Sequence, residues 1–577
     1  MEIISSQEFL AEHGLEDPEL NVLVPSQNNY SAILFQPNGR LEIGPSGVRH
    51  ADRELATQQF SQFLQKAVGE QTELAVTPEY SMPWETLEQK LSNGVIPPLG
   101  CLWVLGCEGI KLQELNAFAE RLAPQVRVLH EDLIDDPRRF LNGVAYVFQT
   151  QVVGQDANQL VILLQFKTCP FGDNNHFEVN GMLVGSRLYT FGSNPGLRLA
   201  TIICSDAFAF QDAHASAIYD RTLLIHIQLN PNPRQDQFKL YRAKLMGYGG
   251  GQTELICLNW AQGIKFRDNG AWTDWNNIGG SCWYLNNEKI DSRDETLVES
   301  HKRGMYYTWI NSLRCHGLFL NYDEALFCFT ASKVAHIGVQ ASLSRRRGPQ
   351  LTSASEWNSD DSVWVTREVF ETGFGESAPE CGGAIECVCA LVDSNPFNAE
   401  RALALSAGRI ESGPDWHLLN KLDSCCVEAS EYVLRVTVCQ DPRGEQFRLQ
   451  RLRMLARLYA ILNEPLPASI ANFAQGFDLE WSPSSPHQNI TAYDGKKATA
   501  IYVGDTCNSD QALAIQKKTA EYLGRSFSEP DDIVDARQRL YVWYRDVDGT
   551  DVAVTNQPYV DFDNSRTDSP LDIARQE

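Results

Sequence analysis

A series of short apolar segments, each bounded by polar or glycine-rich residues, most constrains the fold of this chain. They include ELAVT at 73–77, QLVILLQF at 159–166, LATIIC at 199–204 and LLIHIQL at 223–229. Continuous apolar runs of this length are typical of strands buried on both faces. The stretch 51–68 instead places its apolar residues at helical spacing and ends at a glycine. Strands that alternate with helices in this way predict an α/β layered domain.

The chain of 577 residues is long enough for more than one domain. We expect the first to cover residues 1–340. The stretch 341–362 is polar, carries Gly-Pro and lacks periodicity, so it predicts a linker. Helix and strand patterns return over 363–560 and predict an additional C-terminal α+β domain of unassigned role. The polar residues 561–577 are expected to be a mobile tail.

Charge and cysteine content exclude several classes of protein. The formal net charge is −25, so direct binding to nucleic acid is not expected. The 15 cysteines are scattered without a framework, which favours reduced thiols over disulfides. The sequence shows neither a signal peptide nor an apolar run of about 18 residues. A cytoplasmic protein that does not cross a membrane is therefore expected.

Three chemically active side chains stand where predicted strands end. Glu79 follows ELAVTP, Lys167 follows QLVILLQF, and Cys204 closes LATIIC. A lone strand cysteine is usually a packing residue, and the other two change that balance. Side chains at strand ends converge in the crevice where sites form in helix-covered sheets. We therefore expect a carboxylate, an ammonium and a thiol to meet in one site.

These residue types suit nucleophilic catalysis. A thiol attacks as thiolate, and a nearby cation such as Lys167 is expected to lower its pKa. Glu79 is the candidate general base, which takes the thiol proton and passes it to the leaving group. Lys167 and the backbone N–H of Ser205 are candidate donors to the oxyanion of a tetrahedral intermediate. The set predicts acyl-type chemistry through Cys204.

The segments around these residues resemble the nitrilase (carbon–nitrogen hydrolase) superfamily. The matching segments are TPEY at 77–80, FKTCPFG at 166–172 and IICSDAF at 202–208. Each is weak alone, since short motifs occur by chance, but all three follow in the family's order. The resemblance covers roughly residues 30–340.

The resemblance implies a four-layer αββα sandwich that forms a homodimer or a higher homo-oligomer. It implies hydrolysis of a non-peptide C–N bond, in an amide or less often a nitrile, through a thioester and without a metal or organic cofactor. Family members often carry a second, substrate-positioning glutamate after the lysine, which Glu178 matches best, with Asp173 as competitor. Ser205 follows the nucleophile, where relatives often have an aromatic residue or threonine, and is the second substrate-positioning candidate. A further departure is the glycine-rich stretch at 243–254, which breaks the expected helix.

Other functions stay open at this stage. The chain could be a nitrilase-like oligomerising scaffold or an effector subunit of a bacterial antiviral (antiphage) defence system, with the C-terminal domain binding a protein partner. Acyl transfer to an amine instead of water is a third option. A metal site at Cys381, Cys387 and Cys389 is not favoured, because the spacing differs from zinc motifs and ECVC alternates like a strand. The loop 504–510 is interpreted as an ordinary helix cap rather than an anion site.

Overall fold

The computed structural model divides into two compact units. Unit 1 comprises Met1–Gly375 and Asn420–Gln446, and unit 2 comprises Glu376–Leu419 and Phe447–Glu577. The structure describes residues 1–554 except 173–176, 193–195, 234–235, 248–251, 269, 276–279, 286–294, 311–312, 335–347, 371, 410–434, 439–441, 483–484, 486 and 505–507. Elements are numbered below in chain order.

Unit 1 contains two large sheets among its described residues. One has nine strands, in the order β21 (Val363–Arg367), β20 (Gln350–Asn358), β19 (Ala325–Ser332), β2 (Asn29–Gln36), β5 (Leu74–Met82), β6 (Leu102–Cys107), β8 (Gly143–Gln151), β9 (Asn158–Phe166) and β7 (Val126–Leu129). The other has eight strands, in the order β1 (Glu2–Ser5), β10 (Arg187–Phe191), β11 (Arg198–Ile203), β12 (Thr222–Ile227), β13 (Thr253–Leu258), β16 (Cys282–Leu285), β18 (Cys315–Phe319) and β17 (Tyr306–Ile310). A smaller sheet follows the order β15 (Ala271–Trp275), β14 (Ile264–Asp268), β3 (Arg40–Gly44) and β4 (Gly47–His50).

The two large sheets contact each other through their apolar faces. The rings of Tyr146 on β8 and Phe191 on β10 lie 4.9 Å apart between centroids. Gln165 Nε2 on β9 donates to the carbonyl oxygen of Thr201 on β11 at 2.8 Å. These contacts bury the continuous apolar runs that the sequence predicted as strands.

Helices cover the other faces of both sheets. The helices of unit 1 are α1 (Ser6–Glu12), α2 (Arg53–Gly69), α3 (Trp84–Ser92), α4 (Leu112–Leu122), α5 (Phe177–Gly181), α6 (Asp212–Ile218), α7 (Asp236–Gly247) and α8 (Glu295–Lys302). Apolar residues of α2, α3 and α4 form one core with the nine-stranded sheet. Those of α6 and α7 form another with the eight-stranded sheet. The mixed α/β class predicted from the sequence is therefore confirmed.

Helix α2 shows how the pattern produces the element. Asp52 accepts a hydrogen bond from the Leu55 amide and so caps the first turn. Phe60, Phe63 and Leu64 recur at helical spacing and are fully buried against the nine-stranded sheet.

Unit 2 combines a five-stranded sheet with helices in its described part. The strands follow the order β22 (Phe477–Leu479), β23 (Ile490–Ala492), β24 (Lys497–Tyr502), β25 (Leu540–Arg545) and β26 (Asp551–Ala553). The helices are α10 (Ile385–Ser394), α11 (Pro396–Ser406), α12 (Pro442–Leu462, which begins in the last residues of unit 1), α13 (Ser509–Ser526) and α14 (Pro530–Gln538), with the short α9 (Phe374–Ser377) at the boundary. Across all described residues, no helix is long and apolar enough to cross a bilayer.

Two sequence predictions about local structure are wrong. Within the predicted linker 341–362, residues 350–358 form β20, which pairs with β19 inside the large sheet of unit 1. The segment ECVC lies in helix α10 rather than in a strand. Residues 341–347 and the predicted tail 561–577 lie outside the described residues. Helix α7 ends at Gly247, and 248–251 also lie outside them.

Candidate active site

Glu79 lies in a bulge of strand β5. Residues 78–81 of β5 lie opposite the single residue Gly106 of β6, so the ladder is interrupted there. A β-carbon on Gly106 would lie 2.0 Å from the Pro78 carbonyl oxygen, so only glycine permits this approach. Tyr80 adopts a left-handed φ of 59° at the same place. The bulge turns the strand out of its regular course at the residue that carries the carboxylate.

Lys167 follows the last residue of β9 and joins two carboxylates. Its Nζ donates to Glu79 Oε1 at 2.9 Å and to Glu178 Oε1 and Oε2 at 2.9 and 2.7 Å. All three side chains are at most 2% exposed. The Lys167 amide donates to the Asn142 carbonyl oxygen at 2.9 Å, which fixes the backbone. Since an ammonium has three N–H donors, these carboxylate contacts use all of them.

Glu79 receives further donors that the sequence did not reveal. Its Oε1 accepts from Asn142 Nδ2 at 2.8 Å, and its Oε2 accepts from the Leu229 amide at 2.7 Å. Trp260 Nε1 donates to the Glu79 carbonyl oxygen at 2.8 Å. Asn142 stands directly before strand β8, in the register that places Gly143 opposite Phe166. The position of Asn142 in the site depends on this register, which the local sequence does not show.

Glu178 reaches the same lysine from the short helix α5. Tyr80 Oη donates to its Oε1 at 2.7 Å, and the Phe171 amide donates to its Oε2 at 2.6 Å. The structure thus places Glu178 beside Lys167, as the sequence motif suggested. Its competitor Asp173 lies outside the described residues. Tyr80 was missed because nothing in the sequence marks the left-handed turn that directs it.

Cys204 follows β11 and opens a short 3₁₀ turn, Cys204–Phe208. Its φ is 41°, a left-handed conformation that costs an L-residue on the order of 1–2 kcal/mol. The side chain is 3% exposed, and Glu79, Lys167 and Glu178 all lie close enough to the thiol to act on its pKa. The structure therefore brings together all three residues singled out at strand ends.

Burial and the neighbouring charges shift the pKa values of the three groups. Burial raises the pKa of the Cys204 thiol well above its ordinary value, and Glu79 raises it further, against the opposite effect of Lys167. Burial alone would lower the pKa of Lys167, yet Glu178 and Glu79 raise it well above its ordinary value. Burial also raises the pKa of Glu79, partly opposed by Lys167. Lys167 thus favours the thiolate, as the sequence predicted, but burial and Glu79 outweigh it and favour the neutral thiol.

Ser205 and Asp206, which follow Cys204, tie its turn to the segment after Lys167. Ser205 Oγ donates to the Cys169 carbonyl oxygen at 2.6 Å. Asp206 Oδ1 accepts from the amides of Thr168 and Cys169 at 2.8 and 2.7 Å and from Thr168 Oγ1 at 2.9 Å. Burial raises the pKa of Asp206 to about 7. The Ser205 hydroxyl is therefore engaged in holding the turn to this segment.

The described residues contain no group of three or more His, Cys, Asp or Glu arranged to hold a metal ion. Cys381 is buried in a 3₁₀ segment of unit 2, and Cys387 and Cys389 lie half-buried on helix α10. In the loop 504–510, the Asn508 side chain accepts from the Gln511 amide at 2.9 Å and so caps α13. Residues 505–507 of that loop lie outside the described part of the chain.

About half of the chain is similar to several solved structures. An amidase from Nesterenkonia sp. is 13% identical with a TM-score of 0.27, over 52% of this chain and 93% of its own. A double mutant of the Nesterenkonia sp. AN1 amidase in complex with acrylamide is 13% identical with a TM-score of 0.30, over 54% and 95%. A CN-hydrolase superfamily protein from Xanthomonas campestris with an arsenic adduct in its active site is 12% identical with a TM-score of 0.29, over 53% and 91%.

These neighbours are amidases and a CN-hydrolase superfamily protein that match about half of the chain, and their TM-scores of 0.27 to 0.30 are too low to carry an argument about it. No family model matches the sequence, and no curated protein does. Similarity at this level carries no information about activity or site residues. We therefore draw the function below from the geometry of the chain itself.

Proposed function

We propose that unit 1 is a thiol hydrolase of non-peptide C–N bonds, with small amides as substrates and nitriles as a less favoured class. The observation that carries the proposal is the buried set Cys204, Glu79, Lys167 and Glu178, in which the ammonium bonds both carboxyl groups and all three lie close enough to the thiol to act on its pKa. A buried lysine held by two carboxylates carries a large desolvation cost. Buried ionisable groups with strongly shifted pKa values are typical of functional sites.

In the first half-reaction, Cys204 Sγ attacks the amide carbonyl carbon while the thiol proton passes to the Glu79 carboxylate. The C–N bond then breaks, and the proton on Glu79 moves to the departing nitrogen, which leaves as ammonia or an amine. Proton transfer in concert with attack suits a thiol that burial keeps neutral. The product of this half-reaction is a thioester on Cys204.

In the second half-reaction, water attacks the thioester carbon and gives its proton to Glu79. The S–C bond breaks, the acid leaves, and Sγ regains the proton. In both halves the carbonyl oxygen becomes negative and needs donors. The Ser205 backbone N–H supplies one. Lys167 supplies the other when its two-oxygen contact with Glu178 becomes a one-oxygen contact, which frees one N–H.

Glu178 therefore positions Lys167 and does not exchange protons itself. Its carboxylate keeps donors from Tyr80 and the Phe171 amide when Lys167 turns toward the oxyanion. Asn142 keeps Glu79 oriented in the same way. This arrangement lets the lysine move without leaving either carboxylate without a partner.

The finer aspects of the sequence interpretation belong to the same proposal. We propose the four-layer αββα arrangement for unit 1, since helices cover the outer faces of two sheets that contact each other. A cytoplasmic location and self-association remain predictions. The added C-terminal domain, its protein partner and a role in antiviral defence remain predictions as well.

A matched pair of cysteine variants tests the proposal. Cys169 is half-buried and lies two residues after Lys167, so Cys169→Ala controls for the loss of a nearby thiol. We expect wild type and Cys169→Ala to release ammonia from small amides, and Cys204→Ala to release none. Added hydroxylamine should divert the product to a hydroxamate, because it captures the thioester. Equal turnover by Cys204→Ala would reject the proposal.

A further inference from the structure

His226 is a buried, charged-type residue in an otherwise apolar strand. It lies on β12 with no exposed surface, between Ile225 and Ile227, and its cross-strand neighbours are Ile202 on β11 and Cys257 on β13. The rings of Phe238 and Tyr241 on α7 pack around it at 5.8 and 5.2 Å between centroids. A leucine would fill such a place without the cost of burying an imidazole.

The ring of His226 contacts the backbone of the nucleophile. Its Nε2 lies 3.0 Å from the carbonyl oxygen of Cys204. Cys204 is the residue with the left-handed φ of 41°, and its carbonyl begins the turn that follows. A hydrogen bond at this oxygen opposes relaxation of the turn to a more favourable conformation. The contact therefore acts on the backbone that aims the thiol.

The neighbours of His226 determine which ring nitrogen carries the proton. Gln228 Nε2 lies 2.9 Å from His226 Nδ1 and can only donate, so Nδ1 is the acceptor. Asn230 Nδ2 donates to Gln228 Oε1 at 3.2 Å, which fixes the orientation of the Gln228 amide. The proton of the neutral ring is then on Nε2, which donates to Cys204. Gln228 Nε2 also lies 3.3 Å from His226 Nε2, but this contact is not a hydrogen bond, since both nitrogens are then donors.

Burial supports the neutral form, because it lowers the pKa of His226 to about 3. The chain of amides continues beyond Gln228. The Asn230 backbone N–H donates to Asn259 Oδ1 at 3.1 Å, and Asn259 Nδ2 donates to the Asn230 carbonyl oxygen at 2.9 Å. The Asn259 backbone N–H donates to Ser281 Oγ at 3.0 Å. These residues are at most 3% exposed. A buried, connected polar chain of this kind holds its members in one orientation.

We propose that His226 is a positioning residue for the nucleophile, which in its Nε2–H form holds the Cys204 carbonyl and keeps the thiol aimed at the substrate. The catalytic consequence rests on the proposed function, whereas the proton position and the hydrogen bond do not. Nothing in the reaction requires His226 to exchange a proton or to touch substrate.

The chain offers a matched pair of variants. In His226→Gln the amide nitrogen falls near the position of Nε2 and keeps a donor, whereas in His226→Asn it falls nearer Nδ1 and loses the contact. His226→Phe keeps the volume and removes the donor. We expect Gln to retain kcat within a few-fold, and Asn and Phe to lower kcat on the order of 100-fold with little change in KM, as for a misplaced catalytic group. Equal loss in Gln and Asn, or no loss in Phe, would overturn the proposal.

A measurement without substrate separates this proposal from the proposed function. In protein with ¹⁵N-labelled histidine, the His226 ring should show a protonated Nε2 and an unprotonated Nδ1 at pH 7. A protonated Nδ1, or a doubly protonated ring, would reject the positioning role even in an active enzyme. The expected spectrum in a protein without amidase activity would reject the proposed function and leave the hydrogen bond to Cys204 intact.

Discussion

The Pro78 carbonyl oxygen lies so close to Gly106 that a β-carbon on Gly106 would be only 2.0 Å from it. This contact between neighbouring strands lets residues 78–81 bulge out and brings Glu79 to Lys167. The proposed general base, Glu79, is therefore placed by a glycine on another strand. Gly106 touches no reacting atom, and its contribution is purely steric.

Replacement of Gly106 by alanine should damage activity and stability together. The added methyl group meets backbone, which cannot move aside as a flexible side chain can, so we expect a loss of about 1–3 kcal/mol in the free energy of unfolding. Displacement of Glu79 should lower kcat at least tenfold. Gly69→Ala is the control, because a β-carbon there has no neighbour within 4 Å. Chemical denaturation and amidase assays on both variants check this, and a neutral Gly106→Ala would contradict it.

Removal of the lysine charge should destabilise the protein through its carboxylate partners. In Lys167→Met, the buried Glu79 and Glu178 lose their common cation, which costs about 3–5 kcal/mol when one partner of a buried ion pair is removed. The double variant Lys167→Met/Glu178→Gln removes one of the two charges and should recover part of that stability without recovering activity. Melting temperatures and turnover of the two variants measure this. Recovery of activity in the double variant would show that Lys167 is not needed.

The free energy of unfolding should fall as the solution becomes acidic, because buried histidines take up protons less readily than the same residues in the unfolded chain. Burial lowers the pKa of both His226 and His301 to about 3, while the unfolded chain takes up protons below its ordinary pKa of 6.5. Their stabilisation is complete above pH 6.5 and is lost as pH falls toward 3. The loss between pH 6.5 and 5 is on the order of 1–2 kcal/mol per histidine.

A double variant isolates this effect. The raised pKa of Asp206, about 7, acts in the opposite sense, since its contribution is complete below 3.8 and is lost as pH rises through 7. His226→Gln/His301→Gln keeps the Asp206 contribution and removes that of both histidines. Its unfolding free energy should therefore depend less steeply on pH between 7 and 5 than that of wild type. Parallel curves for the two proteins would contradict the assignment.

The thiol should be poorly reactive in the free enzyme. Burial raises the pKa of Cys204 well above 9.0, so few thiolates exist at neutral pH. We expect iodoacetamide to label Cys204 slowly at pH 7, at a rate that still rises beyond pH 9, as read by peptide mass spectrometry. Lys167→Met should slow it further, because the cation is the group that favours the thiolate. Rapid labelling with a plateau near pH 7 would show a preformed thiolate instead.

The sequence identified those residues of the candidate site whose position depends on a single strand. Glu79, Lys167 and Cys204 each follow a strand whose apolar run is visible in the sequence, and strand ends gather at one edge. Asn142 and Tyr80 could not be found in this way. Asn142 depends on the register of β8 with β9, and Tyr80 depends on a left-handed turn. Neither long-range pairing nor such strain is written in a local pattern.

The two wrong predictions have physical causes as well. Strand β20 reads QLTSASEWN, whose buried residues are Leu351, Ala354 and Ser355. Of these only Leu351 is a large apolar residue and the three do not alternate, so no strand pattern is visible, yet β19 beside it supplies the pairing. In α10, Val388 is the residue with no exposure, and Cys387 and Cys389 on either side are half-buried. One buried position between two half-buried ones fits a helix and a strand equally well.

Mass spectrometry of the acyl-enzyme tests directly whether Cys204 forms a thioester with the amide substrate. Wild type and Cys204→Ala are mixed with a small primary amide, quenched with acid during turnover, digested and analysed by mass spectrometry. We expect the mass of the acyl group on the peptide that contains Cys204 in wild type, and no acylated peptide in Cys204→Ala. Turnover of the amide without any acyl group on Cys204, or with the group on another cysteine, would contradict it.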